Sequence, residues 1–324
     1  ACFEVAVLPL FPDIKPYREQ RLNVGEPHVL HIEESGNPDG VPVLFLHGGP
    51  GAGCNSRGRC FFDPEQYRIV LFDQRGAGQS TPHACTDNNT LQDLLADILC
   101  ILDKLDIERC MLFGGSWGAT LALAFAEQHP ERVSGMVLRG VFLCRRQDLD
   151  WFYRDGASRI FPEAWEQLRA AVPDQTDLLA SYHSVLDSGN EIERMAAARA
   201  WATWEATCST LRPHSGFIES VGESHNALAL ARLETHYFVN QGFLRPNQLI
   251  DEAGKLAGIR SIIVHGRYDM VCPLDNAHSL HAVWADSELR IIRDGGHSPF
   301  EPAMSDALVH ATTDMLEWLT EKSA

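Results

Sequence analysis

Short apolar runs that end in glycine, alternating with segments of helical character, constrain this chain more than any other feature. "VPVLFLHGG" and "YRIVLFDQRG" have the length of strands, lack a polar face and close on Gly-rich loops. Apolar character on both faces is what a strand buried in a parallel sheet requires. A helical segment "TLQDLLADILCILDKL" follows, then a strand "RCMLFGGS", a helix after Ser116, and another strand "VSGMVLRGVF". Such alternation predicts an α/β protein with a mostly parallel, doubly wound sheet. From about Arg145 to about Asn240 the strand signals give way to helices rich in Ala, Trp and charge. The alternation then resumes with "IRSIIVHGRYD", "LRIIRDGGH" and a final helix from about Met304 to Glu321. The expected division is a core over residues 1–144, an inserted helical cap over 145–240 and the rest of the core over 241–324.

With 324 residues, 45% of them hydrophobic, the chain can bury a core of that size. A formal net charge of -17 argues against nucleic acid as a partner, because that binding rests on clustered Lys and Arg. No stretch approaches the ~20 apolar residues of a membrane helix, and "ACFEVAVLPLFPDIKPYREQ" lacks the basic start of a secretory signal. The expectation is a cytoplasmic protein with no membrane partner. The nine cysteines never form C-x-x-C, which suggests free thiols in a reducing compartment rather than a zinc site or a disulfide framework. Self-association as a homo-oligomer stays open.

Within that frame, Gly114-x-Ser116-x-Gly118 between a strand and a helix is the nucleophile-elbow pattern of α/β hydrolases. The turn is sharp, so small neighbours are needed, and the helix that starts there aims backbone N–H groups at an anion. A serine nucleophile needs a base, and the base needs an orienting carboxylate. Chain order calls for an acid after a later strand and a histidine after the next. Asp269 in "SIIVHGRYDMVCP" and His297 in "LRIIRDGGHSPFE" stand there, with Asp275 and Asp294 as substitutes for the acid. The N–H of Trp117 supplies one oxyanion donor. Gly49, in the early loop "LFLHGGPGAG", is the choice for the other. Together these residues predict acyl transfer to water.

At this level the chain resembles the proline iminopeptidases (prolyl aminopeptidases) of the α/β-hydrolase fold. The resemblance rests on "SGNPDG", "HGGPGAG", "FDQRGAGQSTPHA", "FGGSWGATLALAFAEQHPERV", "DGASRIFPEAW", "WATWEATCSTL", "ALARLETHYFVNQGFL", "HGRYDMVCPL" and "GGHSPFEP", in order from about residue 35 to about residue 310. It implies hydrolysis of an N-terminal proline from small peptides, with no metal or organic cofactor. Leu91 departs from the pattern, where an aromatic residue is expected, and the first ~20 residues match poorly.

Two glutamates of the helical stretch make physical sense beside that resemblance. Helical spacing puts Glu234 in a stripe with Leu230 and Phe238, and Glu205 four residues from Trp201. A carboxylate withdrawn from water without a partner costs several kcal/mol, so each should meet a cation or strong donors. A protonated N-terminal proline has two N–H donors, one for each carboxylate. The alternative is pairing with arginines such as Arg139, Arg199 or Arg232; Arg139 also stands among the substrate-binding candidates. For the proline ring the resemblance points to Phe142, Phe152 and Phe238, the second a position where relatives carry tyrosine. Cys272 is the thiol expected nearest the site, read as a small buried apolar residue. An esterase or amidase acting on uncharged substrates would share the triad without needing Glu205 and Glu234, and a non-catalytic receptor would have lost part of the triad.

Overall fold

The computed structural model describes residues 8–212, 216, 218, 221 and 226–321. Eight strands form one sheet: β1 (Arg18–Asn23), β2 (Val29–Gly36), β3 (Val41–Leu46), β4 (Tyr67–Phe72), β5 (Cys110–Gly115), β6 (Val133–Arg139), β7 (Ser261–Gly266) and β8 (Ser287–Ile292). Their spatial order is β1-β2-β4-β3-β5-β6-β7-β8. The pairs β1·β2 and β2·β4 are antiparallel; from β4 to β8 every pairing is parallel. Every residue of β5 and β7 is buried, as two covered faces demand, whereas β8 at the edge is half-exposed.

The pleat sends successive side chains to opposite faces and so divides the core in two. Leu44, Leu112 and Ile263 face helices α1 (Leu91–Lys104) and α2 (Trp117–Gln128). Val43, Met111 and Ile262 face Met304, Leu308 and Met315, which lie on the final helix described below. Helix α1 starts where its capping box allows: Thr90 Oγ1 accepts from the Asp93 N–H, and Asp93 accepts from the Thr90 N–H at 2.9 Å.

Between β6 and β7 the chain forms α3 (Arg146–Tyr153), α4 (Pro162–Ala170), α5 (Leu178–Ser188), α6 (Glu191–Cys208) and α7 (Asn226–Val239). Trp201 of α6, Tyr182 of α5 and Leu233 of α7 are almost wholly buried, and Trp201 and Tyr182 share one hydrophobic cluster with Leu44 and Leu112 of the sheet. After it come α8 (Gln248–Asp251), α9 (Leu274–Val283) and α10 (Pro302–Glu321). Among the described residues no helix is long and apolar enough to cross a membrane.

Two features differ from the reading of the sequence. Strands β1 and β2 form a hairpin that the apolar-run criterion passes over, because "REQRLN" is polar and mostly exposed on an edge. Strand β6 stops at Arg139 rather than running on to Phe142. Gly140 turns the chain there with φ +53°, and a Cβ on it would come within about 3.1 Å of His297 and Asp269. The space a side chain would fill is occupied by that pair.

Candidate active site

Ser116 sits between the end of β5 and the start of α2 with φ +56°, a left-handed conformation uncommon for a residue with a side chain. Its N–H bonds the Arg139 carbonyl at 2.9 Å, which ties the turn to the neighbouring strand. The flanking glycines are a packing requirement. A Cβ on Gly118 would run into the Leu46 carbonyl oxygen, and one on Gly114 into that of Gly118. The sequence spacing therefore follows from how closely β3, β5 and α2 approach.

Asp269 follows β7 and His297 follows β8, both at the same edge of the sheet as Ser116. Nδ1 of His297 lies 2.8 Å from Oδ2 of Asp269. Oδ1 of Asp269 accepts from the N–H groups of Val271 and Cys272 at 3.0 and 2.8 Å. Burial pushes the Asp269 carboxyl up, but His297, His265 and the backbone donor outweigh it and hold the group below its ordinary value. His265, which the sequence reading passed over, takes the Val141 N–H on Nδ1 and so carries its proton on Nε2, 2.8 Å from the Cys272 carbonyl. Burial lowers its pKa, so it props the Asp269 loop as a neutral ring.

At its other nitrogen, His297 Nε2 accepts from Arg139 Nη1 at 3.1 Å, and the same nitrogen of Arg139 donates to the His297 carbonyl at 2.9 Å. An acceptor at Nε2 with Asp269 at Nδ1 fixes the neutral tautomer that a general base requires. Ser116 Oγ has Cys272 Sγ as its neighbour at 4.0 Å. The thiol is buried, and that burial pushes its pKa far up, in keeping with a small apolar residue rather than a second nucleophile. Asp275 is turned away and pairs with Arg145 at 3.4 Å.

The loop after β3 is held by a relay. Gln74 donates its backbone N–H to His47 Nε2 at 2.9 Å and its amide to the His47 carbonyl at 2.8 Å, while its Oε1 accepts from Trp117 Nε1 at 3.0 Å. Gly49 in that loop has φ +106° and lines the space above Ser116. The relay thus fixes the Gly49 loop and the start of α2 relative to each other.

Two cavities meet at Ser116. One is lined by Phe142, Phe152, Phe238, Tyr153 and Cys272, the other by Arg139, His297, Phe45 and Phe300; Gly49, Glu205 and Glu234 border both. Phe142 and Phe238 meet edge to face at 5.6 Å, and Phe152 packs on Tyr153 at 4.8 Å. Glu205 accepts from the Tyr153 phenol at 2.6 Å, and Glu234 from Trp201 Nε1 at 2.5 Å. Burial raises the Glu205 pKa to about 7, against the pull of Tyr153. Glu234 is pushed well up, by burial first and then by Glu205.

None of the three arginines weighed as partners forms an ion pair with either glutamate, although Arg139 lines the cavity that both border. Arg139 is committed to His297, Arg232 pairs with Asp187 at 3.1 Å, and Arg199 is exposed on a groove across α6. Among the described residues no ion pair includes Glu205 or Glu234. The arrangement is a serine beside a carboxylate-oriented imidazole, facing an aromatic pocket with two uncompensated carboxylates. Tyr153 escaped the sequence reading because it is 52 residues from Glu205 in the chain, and no local spacing brings the two together.

The α/β hydrolase fold family model matches residues 41–303. A bromoperoxidase from Bacillus anthracis superposes with a TM-score of 0.66 at 17% identity, covering 93% of this chain and 100% of that one. An esterase from Rhodococcus sp. ECU1013 gives 0.64 at 16%, covering 93% and 99%. These likenesses establish the fold. In sequence, a proline iminopeptidase of Xylella fastidiosa strain 9a5c is 52% identical over 306 residues, 94% of this chain and 98% of its own. One of Arabidopsis thaliana is 48% identical over 310 residues, 94% of this chain and 82% of its own. Identity of that extent, running through the sheet and the helical stretch alike, means that this chain belongs to the proline iminopeptidase family of α/β hydrolases.

Proposed function

We propose that the protein is a serine aminopeptidase that releases N-terminal proline from small peptides. The observation that carries this reading is the pair Glu205, partly buried, and Glu234, buried, beside Ser116 with neutral donors only. A protonated secondary amine supplies the missing charge and one N–H to each carboxylate, and its ring fits the wall of Phe142, Phe152 and Phe238. Fixed there, the prolyl carbonyl lies against Ser116.

Ser116 Oγ attacks that carbonyl carbon while its proton passes to His297 Nε2, and Asp269 steadies the imidazolium. To accept the proton, His297 exchanges its contact with Arg139 for one with Ser116. The N–H groups of Gly49 and Trp117 take the oxyanion. As the tetrahedral species collapses, the peptide C–N bond breaks and His297 gives the proton to the leaving amine. Water, deprotonated by His297, then hydrolyses the prolyl ester and frees proline and Ser116. No step calls on a metal or an organic cofactor. The test is release of free proline from Pro-Gly-Gly and prolinamide, measured by amino-acid analysis: turnover by the wild type and its loss in Ser116→Ala support the reading, and turnover that survives Ser116→Ala contradicts it.

A further inference from the structure

We propose that the cavity on the His297 side of Ser116 receives the residue that follows proline, and that its ring lining selects a large apolar side chain there. The inference rests on the function proposed above and adds a substrate class to it.

His297 must reach the amine nitrogen it protonates, so the leaving half of the peptide lies where His297 is exposed. Of the two cavities that share Ser116, the one with Phe142 and Phe238 is bordered by Cys272, while His297 borders the other, a space of about 270 Å³. The chemistry therefore orients the substrate without reference to a bound ligand.

One wall of that second cavity is aromatic. Phe45 stacks on Phe113 at 5.3 Å, Phe61 on Phe113 at 5.6 Å, and Phe61 on Phe300 at 5.5 Å. Phe61 and Phe113 are buried, whereas Phe45 and Phe300 keep exposed surface on the cavity. The Arg57 guanidinium lies 4.3 Å over the Phe300 ring and steadies it. Phe300 also belongs to the loop that carries His297, so the ring and the base are positioned together. An apolar side chain entering here loses water against rings that are already fixed.

The experiment measures kcat/KM for Pro-Phe, Pro-Leu, Pro-Gly, Pro-Asp and prolinamide, in the wild type and in Phe300→Ala. The expected result is that Pro-Phe and Pro-Leu exceed both Pro-Gly and Pro-Asp about tenfold or more. In Phe300→Ala the Pro-Phe to Pro-Gly ratio should shrink several-fold; the ratio is taken within one preparation, so partial loss of folded protein cancels. Phe300→Leu, which keeps bulk and removes the ring, gives the same reading should the alanine variant not fold. Equal efficiency on all four dipeptides, with prolinamide still turned over, overturns the subsite and leaves the proposed function standing. A wild-type preference that neither variant alters overturns the role of the rings. Absence of proline release from every substrate, prolinamide included, overturns the function and the subsite together.

Discussion

The phenol of Tyr153 donates to Glu205 at 2.6 Å, next to a second carboxylate, Glu234, held by the indole of Trp201 at 2.5 Å. Both donors are neutral, so they orient the carboxyl groups and supply no countercharge. A pair of this kind costs stability while empty and gains from any cation that reaches both groups. Recognition of an N-terminal ammonium follows from that cost.

Removing one charge should therefore weaken binding of free-amine substrates. Glu205→Gln and Glu234→Gln are each expected to lower kcat/KM for prolyl substrates about 30-fold or more, mainly through KM, as loss of one partner of a buried charge contact typically costs about 2–5 kcal/mol. Steady-state kinetics on prolyl anilide check this. Unchanged kinetics in both variants would remove the carboxylates from the model.

The raised Glu205 pKa gives the pH dependence a sign. With a value of about 7, the carboxyl is protonated on the acid side and no longer attracts the ammonium, so KM for prolyl substrates should rise as pH falls below about 7. Stability of the unliganded protein should move the other way. The folded form holds this proton over the interval from the ordinary carboxyl value of 4.5 up to about 7, so the contribution is present below 4.5 and lost as pH rises through 7. Thermal unfolding measured across that interval tests the second part; a Tm that climbs steadily to pH 8 would count against a desolvated, unpaired Glu205.

The elbow offers a test that does not touch chemistry. A Cβ at Gly118 meets the Leu46 carbonyl, which is backbone and cannot swing aside. Gly118→Ala is expected to destabilise the fold by about 1–3 kcal/mol and to abolish most activity by displacing Ser116. Denaturant unfolding with parallel activity assays would reveal an undisturbed elbow if both stayed at wild-type values.

Thiol chemistry separates Cys272 from the catalytic groups. Cys100 is exposed and Cys272 is buried with its pKa pushed well up, so N-ethylmaleimide should label Cys100 before Cys272 and leave activity intact. Peptide mapping during labelling checks the order. Inactivation that tracks Cys100 modification would contradict it.

Much of this was legible in the sequence because the governing constraints are local. The spacing Gly114-x-Ser116-x-Gly118 encodes a clash with neighbouring backbone, and apolar runs on both faces encode buried parallel strands such as β5 and β7. The polar strand β1 escaped because an edge strand has no need of that pattern. Arg139 was grouped with the two carboxylates but bonds His297, and Tyr153 and His265 went unnoticed. Those three contacts span 158, 52 and 7 residues, and their partners are chosen by tertiary packing.

The central claim is that the site reads a charged, free N-terminal proline. Its most direct measurement is kcat/KM on prolyl anilide against N-acetylprolyl anilide, which differ in that charge and in its N–H donors. The account expects the free amine to be preferred by at least about 30-fold, with the preference collapsing in Glu205→Gln and Glu234→Gln. Comparable turnover of the two anilides would contradict it and return the protein to the uncharged-substrate hydrolases.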